Sequence, residues 1–192
     1  ALQRDNVTLV TDPVQRLTKT SVVTASGAPV EVDVVVLATG FETSQYLSGI
    51  EVVGAEGQSL HERWGLDPTA YLGVAVSGFP NFFMLYGPNT NVGSNSVIFM
   101  LEAQAHYIMR ALKYMRRKDK SFIEVRTDVV ARFLAKVDTW MQGTVWLTRC
   151  SNYFRAPNGR VVTQWPRSAR DFWGRTRWFR PGDYTFSDTF GP

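Results

Sequence analysis

Three stretches combine residue types and spacings that could do chemistry. The first, Asp33-Val34-Val35-Val36-Leu37-Ala38-Thr39-Gly40-Phe41, is an apolar run that ends in small residues. With no bulky side chain in the way, Thr39 and Gly40 let another backbone or a flat ligand come close. The second ends in Gly87-Pro88-Asn89-Thr90, after the apolar segment Gly78 to Tyr86, and leads to a helix start at Ser96 and Val97. A tight loop ahead of a helix turns exposed N–H groups and a positive dipole end toward an anionic or electron-rich group. The third is the segment 149–180, with eight arginines, no lysine and only Asp171 in opposition, interleaved with Tyr153, Phe154, Trp165, Phe172, Trp173, Trp178 and Phe179. Such a segment calls for anions, whether cofactor phosphates or the backbone of a single-stranded nucleic acid.

Several enzyme classes drop out for want of their motifs. No two of the fifteen glycines are separated by a single residue, so no G-x-G-x-x-G occurs, and no G-x-x-x-x-G-K-[ST] occurs either. His61 and His106 lie 45 residues apart and Cys150 stands alone, which gives no metal-ligand spacing. No metal site and no catalytic acid, base or nucleophile is assigned. His106 shares a polar helix face with Glu102 and His61 sits beside Glu62, so both are expected at the surface.

The elements that would position these stretches follow from periodicity. Asn6 to Val10, Val14 to Thr18 and Val22 to Ala25 read as strands of a small antiparallel meander, and Val32 to Ala38 as a strand buried on both faces. Residues 41–81 read as long connections with a helical turn near Leu60 to Trp64. Asn81 to Tyr86 reads as a buried strand. From Asn95 onward Val97, Leu101, Ala105, Ile108, Leu112 and Met115 recur three or four apart, which predicts one long amphipathic helix. Ser121 to Arg126 is a predicted strand, and Thr127 a predicted N-cap for a second helix ending at Gly143. Residues 144–167 read as a hairpin turning at Pro157-Asn158-Gly159, and Ser168 to Arg177 as a short aromatic helix.

Composition sets the frame. The 192 residues are 44% hydrophobic and 20% charged with a net charge of +4, values of a globular chain with a real core. The longest apolar runs, such as Val34 to Ala38, hold five residues, far below the roughly 18 needed to span a bilayer. One cysteine and no signal-like opening lead to the expectation of a cytoplasmic protein without membrane attachment. The chain opens on Ala1 and reads as if it starts mid-domain, so a fragment of a longer protein is expected.

Read together, D-V-V-V-L-A-T-G-F, H-E-R-W, A-Y-L-G, G-F-P-N-F-F-M-L-Y-G-P-N-T and S-V-I-F-M-L-E-A-Q resemble the C-terminal portion of class B flavin-dependent monooxygenases, most closely the Baeyer–Villiger type. The resemblance is densest from Asp33 to Gln104 and thins beyond Cys150. It implies an α/β fold, a partial version of the flavoprotein fold with two dinucleotide-binding domains. Residues 1–39 would end the NADPH-binding domain, with Thr39 and Gly40 in the linker, and residues 40–192 would be the C-terminal part of the FAD-binding domain. It implies FAD and NADPH as cofactors of the intact enzyme, with Gly87, Pro88, Asn89, Thr90, Ser96 and Val97 as flavin contacts. Tyr153 stands where relatives often carry a tryptophan that touches the nicotinamide cofactor. The implied reaction uses O2 to form a C4a-peroxyflavin that inserts oxygen into a ketone or oxygenates a sulfide. The glycine-rich fingerprints of the family are not in this sequence, so the chain alone is expected to be inactive, to retain no cofactor and to self-associate. The open alternatives are a nucleic-acid-binding module, which the helical and α/β patterning does not favour, and a non-catalytic structural domain.

Overall fold

The computed structural model describes residues 2–148 and 153–189. It divides into two compact units, Ala1–Gly40 and Phe41–Pro192.

The N-terminal unit is a meander of three antiparallel strands, β1 (Val14–Leu17), β2 (Ser21–Thr24) and β3 (Pro29–Glu31), with β2 in the centre. Thr18 ties the first turn, accepting from Ser21 N at 2.9 Å, and Gly27 turns the second at φ 87°. The expected strands at 14–18 and 22–25 are thus present, and β3 is an addition. Two other expectations are corrected. Asn6 to Val10 forms no strand, and its Val7, Leu9 and Val10 are exposed. Val32 to Ala38 is irregular and open, with Val34, Val36 and Leu37 at 78%, 84% and 74% exposure. The physical reason is the same for both: an extended segment becomes a strand only when a neighbour accepts its backbone groups, and this unit offers none.

Among the described residues the C-terminal unit holds four α-helices and a two-stranded sheet. They are α1 (Leu60–Trp64), α2 (Val97–Arg117), β4 (Phe122–Val125), α3 (Thr127–Met141), α4 (Ala169–Thr176) and β5 (Tyr184–Ser187). Helix α2 starts at N-cap Ser96 and buries Met100, Ala103, Gln104, Tyr107 and Ala111 along one stripe. That stripe packs on α4, Ile123 and Val125 of β4, and Val129, Phe133 and Val137 of α3 to make the main core. A second cluster, Leu60, Trp64, Ala70, Val76, Phe79 and Met84, sits under the connections.

Boundaries differ in small ways from the sequence reading. The N-cap of α3 is Arg126, one residue before Thr127, and the helix stops at Met141 while Gly143 takes φ 74°. The 157–159 turn exists, closed by Ala156 N donating to Arg160 O, but among the described residues only one antiparallel bridge, Arg155 with Val161, flanks it. A 3-10 turn, Val145–Leu147, takes up part of the expected hairpin. Strand β5 was not expected; it pairs antiparallel with β4, Phe122 opposite Ser187 and Val125 opposite Tyr184. Asn81 to Tyr86 is not a strand either. Asn81 and Tyr86 both adopt positive φ, 60° and 58°, and only Phe83 makes a bridge, to Ala75.

Candidate functional site

The Gly-Pro loop is wedged between two other segments so tightly that side chains are excluded. Gly73 lies at φ 62°, and a Cβ on it would stand 2.1 Å from Thr90 Cγ2 and 3.0 Å from Pro88 O. A Cβ on Gly87 would stand 2.5 Å from both Gly73 O and Met84 Sδ. Two glycines therefore allow the 71–75 turn and the 86–90 loop to touch, and Gly87 N donates to Gly73 O at 3.2 Å.

A single fully buried amide on α2 holds both. Gln104 Oε1 accepts from Tyr86 N at 2.9 Å, while Nε2 donates to Leu72 O at 3.0 Å and Gly73 O at 3.1 Å. On the other side of the loop Asn89, at 1% exposure, donates from Nδ2 to Val161 O and Gln164 O. Its backbone N donates to Val162 O at 2.7 Å, and Thr90 Oγ1 donates to Gly87 O at 2.6 Å. The loop is thus fixed from α2 and from the 161–165 segment at once.

Thr90 is one wall of a cleft of about 340 Å³. Its other walls include Phe41, Tyr46, Tyr86, Asn91, Tyr153 and Thr163. Aromatic rings dominate. Tyr86 donates from its hydroxyl to Asn91 Oδ1 at 2.7 Å, and burial raises the phenols of Tyr46 and Tyr86 above their ordinary value. Thr43 Oγ1 donates to Tyr153 O, which joins two lining residues 110 positions apart in the chain. Thr163 Oγ1, Asn89 Oδ1 and both amide atoms of Gln164 are buried and find no hydrogen-bond partner among the described residues.

Of the residues singled out in the sequence, the structure brings Gly87, Pro88, Asn89 and Thr90 together as one buried loop and places Tyr153 in the lining of the same cleft as Thr90. Ser96 is exposed and Val97 half-buried at the start of α2, whose first turn carries no acidic side chain. Thr39 and Gly40 end the N-terminal unit, both exposed. Cys150 lies outside the described residues. Among the described residues no three His, Cys, Asp or Glu side chains gather as metal ligands. Gln104, Asn91, Thr163 and Gln164 were not singled out. Gln104 had a signal in the sequence, since it is polar at a position where the helical stripe is otherwise apolar.

Much of the arginine charge of the tail is spent inside the chain. Arg160, with 16% of its side chain exposed, reaches Asp67 at 2.8 Å and Asp138 at 3.1 Å. Arg167 and Arg175 both pair with Asp171, and Arg175 lies 4.2 Å above the Trp140 ring. Trp173 and Trp178 remain exposed, with Arg177 over both.

No family model matches the chain. Individual proteins do. An FAD-binding monooxygenase of Aspergillus niger is 40% identical over 171 residues, 86% of this chain and 28% of that protein. A Baeyer–Villiger monooxygenase of Pseudomonas aeruginosa is 34% identical over 191 residues, 98% of this chain and 36% of that protein. The chain resembles the C-terminal portion of FAD-binding and Baeyer–Villiger monooxygenases. It spans about a third of the length of these relatives. Among solved structures, a steroid monooxygenase bound to NADP superposes with a TM-score of 0.76 at 28% identity, covering 97% of this chain and 36% of that one. Cyclohexanone monooxygenase from Rhodococcus, bound to NADP+, gives 0.76 at 25% identity over 97% of this chain and 37% of its own. The fold is accordingly α/β and a partial form of the two-dinucleotide-domain flavoprotein monooxygenase fold. Among the described residues no helix is long and apolar enough to cross a membrane.

Proposed function

We propose that this chain is the C-terminal portion of an FAD- and NADPH-dependent monooxygenase that inserts oxygen from O2 into a ketone or oxygenates a soft nucleophile such as a sulfide. The observation that carries the reading is the match to a Baeyer–Villiger monooxygenase along 98% of the chain. In this reading residues 1–39 end the NADPH domain, Thr39 and Gly40 lead back, and residues 40–192 complete the FAD domain.

The residues present fit a flavin. The cleft beside Thr90 is walled by rings suited to a flat conjugated group, and Thr163 there carries a buried hydroxyl with no partner among the described residues. The first turn of α2 has no carboxylate to compete for its N–H groups, and although Ser96 N donates to Asn95 Oδ1 at 2.6 Å, the helix start at Ser96 and Val97 offers a positive end to an electron-rich ring edge. When bound, the flavin supplies the electron and oxygen transfer. The chain's own residues orient and solvate it. Gly87, Pro88, Asn89 and Thr90 present a rigid backbone held through Tyr86 by Gln104, and Tyr153 adds a ring to the cleft lining. None of them transfers a proton.

Two measurements test this. The intact protein containing this chain should consume NADPH and O2 while converting a cyclic ketone to its lactone, and no turnover across a panel of ketones and sulfides would refute the proposal. The 192-residue chain alone should purify colourless, because it lacks a glycine-rich phosphate loop; a stoichiometric flavin absorption band would refute that part.

A further inference from the structure

A separate small cavity, of about 100 Å³, lies where α3, α4 and the segment leading to β5 meet. Its rim is cationic. Arg132 and Lys136 of α3, Arg175 of α4 and Arg180 after it line the cavity, against one carboxylate, Asp183. That carboxylate is already engaged, since it accepts from Tyr71 Oη at 2.6 Å. Burial, and then this bond, hold the Tyr71 phenol protonated well above its ordinary range, so the phenol adds no second negative charge beside Asp183.

The four cations are not equivalent. Arg132 pairs with Asp128 at 2.5 Å, outside the cavity lining, and Arg175 is fixed by Asp171 at 2.7 Å and by the Trp140 ring. Both are held in place with part of each donor set engaged. Lys136 and Arg180 form no ion pair among the described residues. Four cations around one small space with a single carboxylate among them leave an excess of positive charge, and an oxyanion between them lowers their mutual repulsion. Planar guanidinium forks and a lysine ammonium from separate elements suit a tetrahedral oxyanion better than a carboxylate, because its oxygens point in several directions.

We propose that this cavity binds a single phosphate group, as the free ion or as the end of a phosphomonoester. It shares none of its lining with the cleft beside Thr90. The site therefore stands whether or not the flavin reading does. Its small volume admits one such group and excludes a pyrophosphate, and its mouth, carried by the exposed Arg132, Lys136 and Arg180, sets how much of an ester can follow.

The test titrates the purified protein with inorganic phosphate, and separately with glycerol phosphate, at constant ionic strength held by chloride, reading 31P line broadening and the thermal midpoint. Saturable broadening with a rising midpoint is expected. Lys136→Gln and Arg180→Gln should each weaken the apparent affinity about tenfold, while Lys113→Gln on the outer face of α2 should leave it unchanged. Equal binding of both probes identifies a phosphomonoester site, and binding of the ion alone identifies a free-phosphate site; each supports the proposal. Linear, non-saturating broadening, or affinity that survives both substitutions, would overturn it. Because Lys136 and Arg180 are exposed and unpaired, replacing them leaves the fold intact, which circular dichroism of the variants verifies.

Discussion

Gly73→Ala tests whether the loop beside the cleft is held by steric exclusion. Two costs are separable. At φ 62° an alanine pays for a left-handed backbone, about 1 to 2 kcal/mol. Its Cβ would stand 2.1 Å from Thr90 Cγ2, an overlap that must be relieved by moving Thr90 or the turn, at about 1 to 3 kcal/mol. The sum, about 2 to 5 kcal/mol, lowers the melting midpoint by roughly 5 to 15 °C for a chain of this size. Thr90→Ser deletes the offending methyl while keeping the hydroxyl that donates to Gly87 O, and alone it costs about 1 kcal/mol. In the double variant the overlap with Thr90 is gone, but the backbone strain remains, as do the approaches to Pro88 O at 3.0 Å and Gln104 Nε2 at 3.1 Å. The two changes should therefore couple favourably by about 1 to 2 kcal/mol in a urea-denaturation cycle. Additivity within about 0.4 kcal/mol would refute the contact as the source of the glycine requirement.

Other outcomes follow from the same geometry. Gln104→Leu strands Tyr86 N–H and Leu72 O while Gly73 O keeps Gly87 N, and should cost about 2 to 4 kcal/mol by chemical denaturation, against nearly nothing for the exposed Glu102→Gln. Burial alone would raise Asp171, yet Arg175 and Arg167 outweigh it and hold its carboxyl below 3.8; its stabilisation is present above that pH and is lost as acid protonates the folded state. Asp171→Asn should therefore flatten the acid limb of the stability profile, as read by urea midpoints from pH 5 downward. Burial raises the Tyr71 and Tyr107 phenols above 10.0, so their contribution is complete below that pH and falls away above it, and ultraviolet titration should show them ionising only as the chain unfolds. Val34→Lys with Val36→Lys should suppress self-association and hydrophobic-dye binding measured by light scattering and fluorescence.

What the sequence disclosed depends on the range of the forces involved. Helices α2, α3 and α4 were legible as elements because helical spacing and the flanking Ser96, Ser168 and Gly143 are local signals, but the buried stripe of α2 is Met100, Ala103, Gln104, Tyr107 and Ala111, and none of the expected Val97, Leu101, Ala105, Ile108, Leu112 and Met115 is buried. Strand β5 was not, since Tyr184 to Ser187 becomes a strand only by pairing with β4 about sixty residues earlier. The apolar run 81–86 misled for a related reason. Positive φ at Asn81, Tyr86 and Asn89 turns the chain repeatedly, and its polar groups are met by Gln104, Ser121, Ile123 and the 161–165 segment, with only the bridge at Phe83 resembling a ladder. The loop at 87–90 was located by its residue types, whereas Gln104, though it closes the motif S-V-I-F-M-L-E-A-Q, was not singled out, because the carbonyls and the N–H it bonds come from Leu72, Gly73 and Tyr86, 18 to 32 residues earlier.

The open run at Val34 to Leu37 and the closed loop at Gly87 to Thr90 are two consequences of one rule. Backbone groups and apolar side chains must both be satisfied, and a segment is ordered only where the chain supplies partners for each. At 87–90 the partners come from α2 and from residues 161–165, so a loop without regular structure is as buried as any helix. At 34–37 the sequence has the content of a central strand, but the residues that would flank it are not among those of the N-terminal unit. A surface this apolar is what a missing sheet neighbour would cover, and adding such a neighbour should convert the run to a strand and protect its amides from hydrogen exchange. If those amides exchanged freely in the intact protein as well, the assignment of residues 1–39 to the end of a dinucleotide-binding sheet would fail.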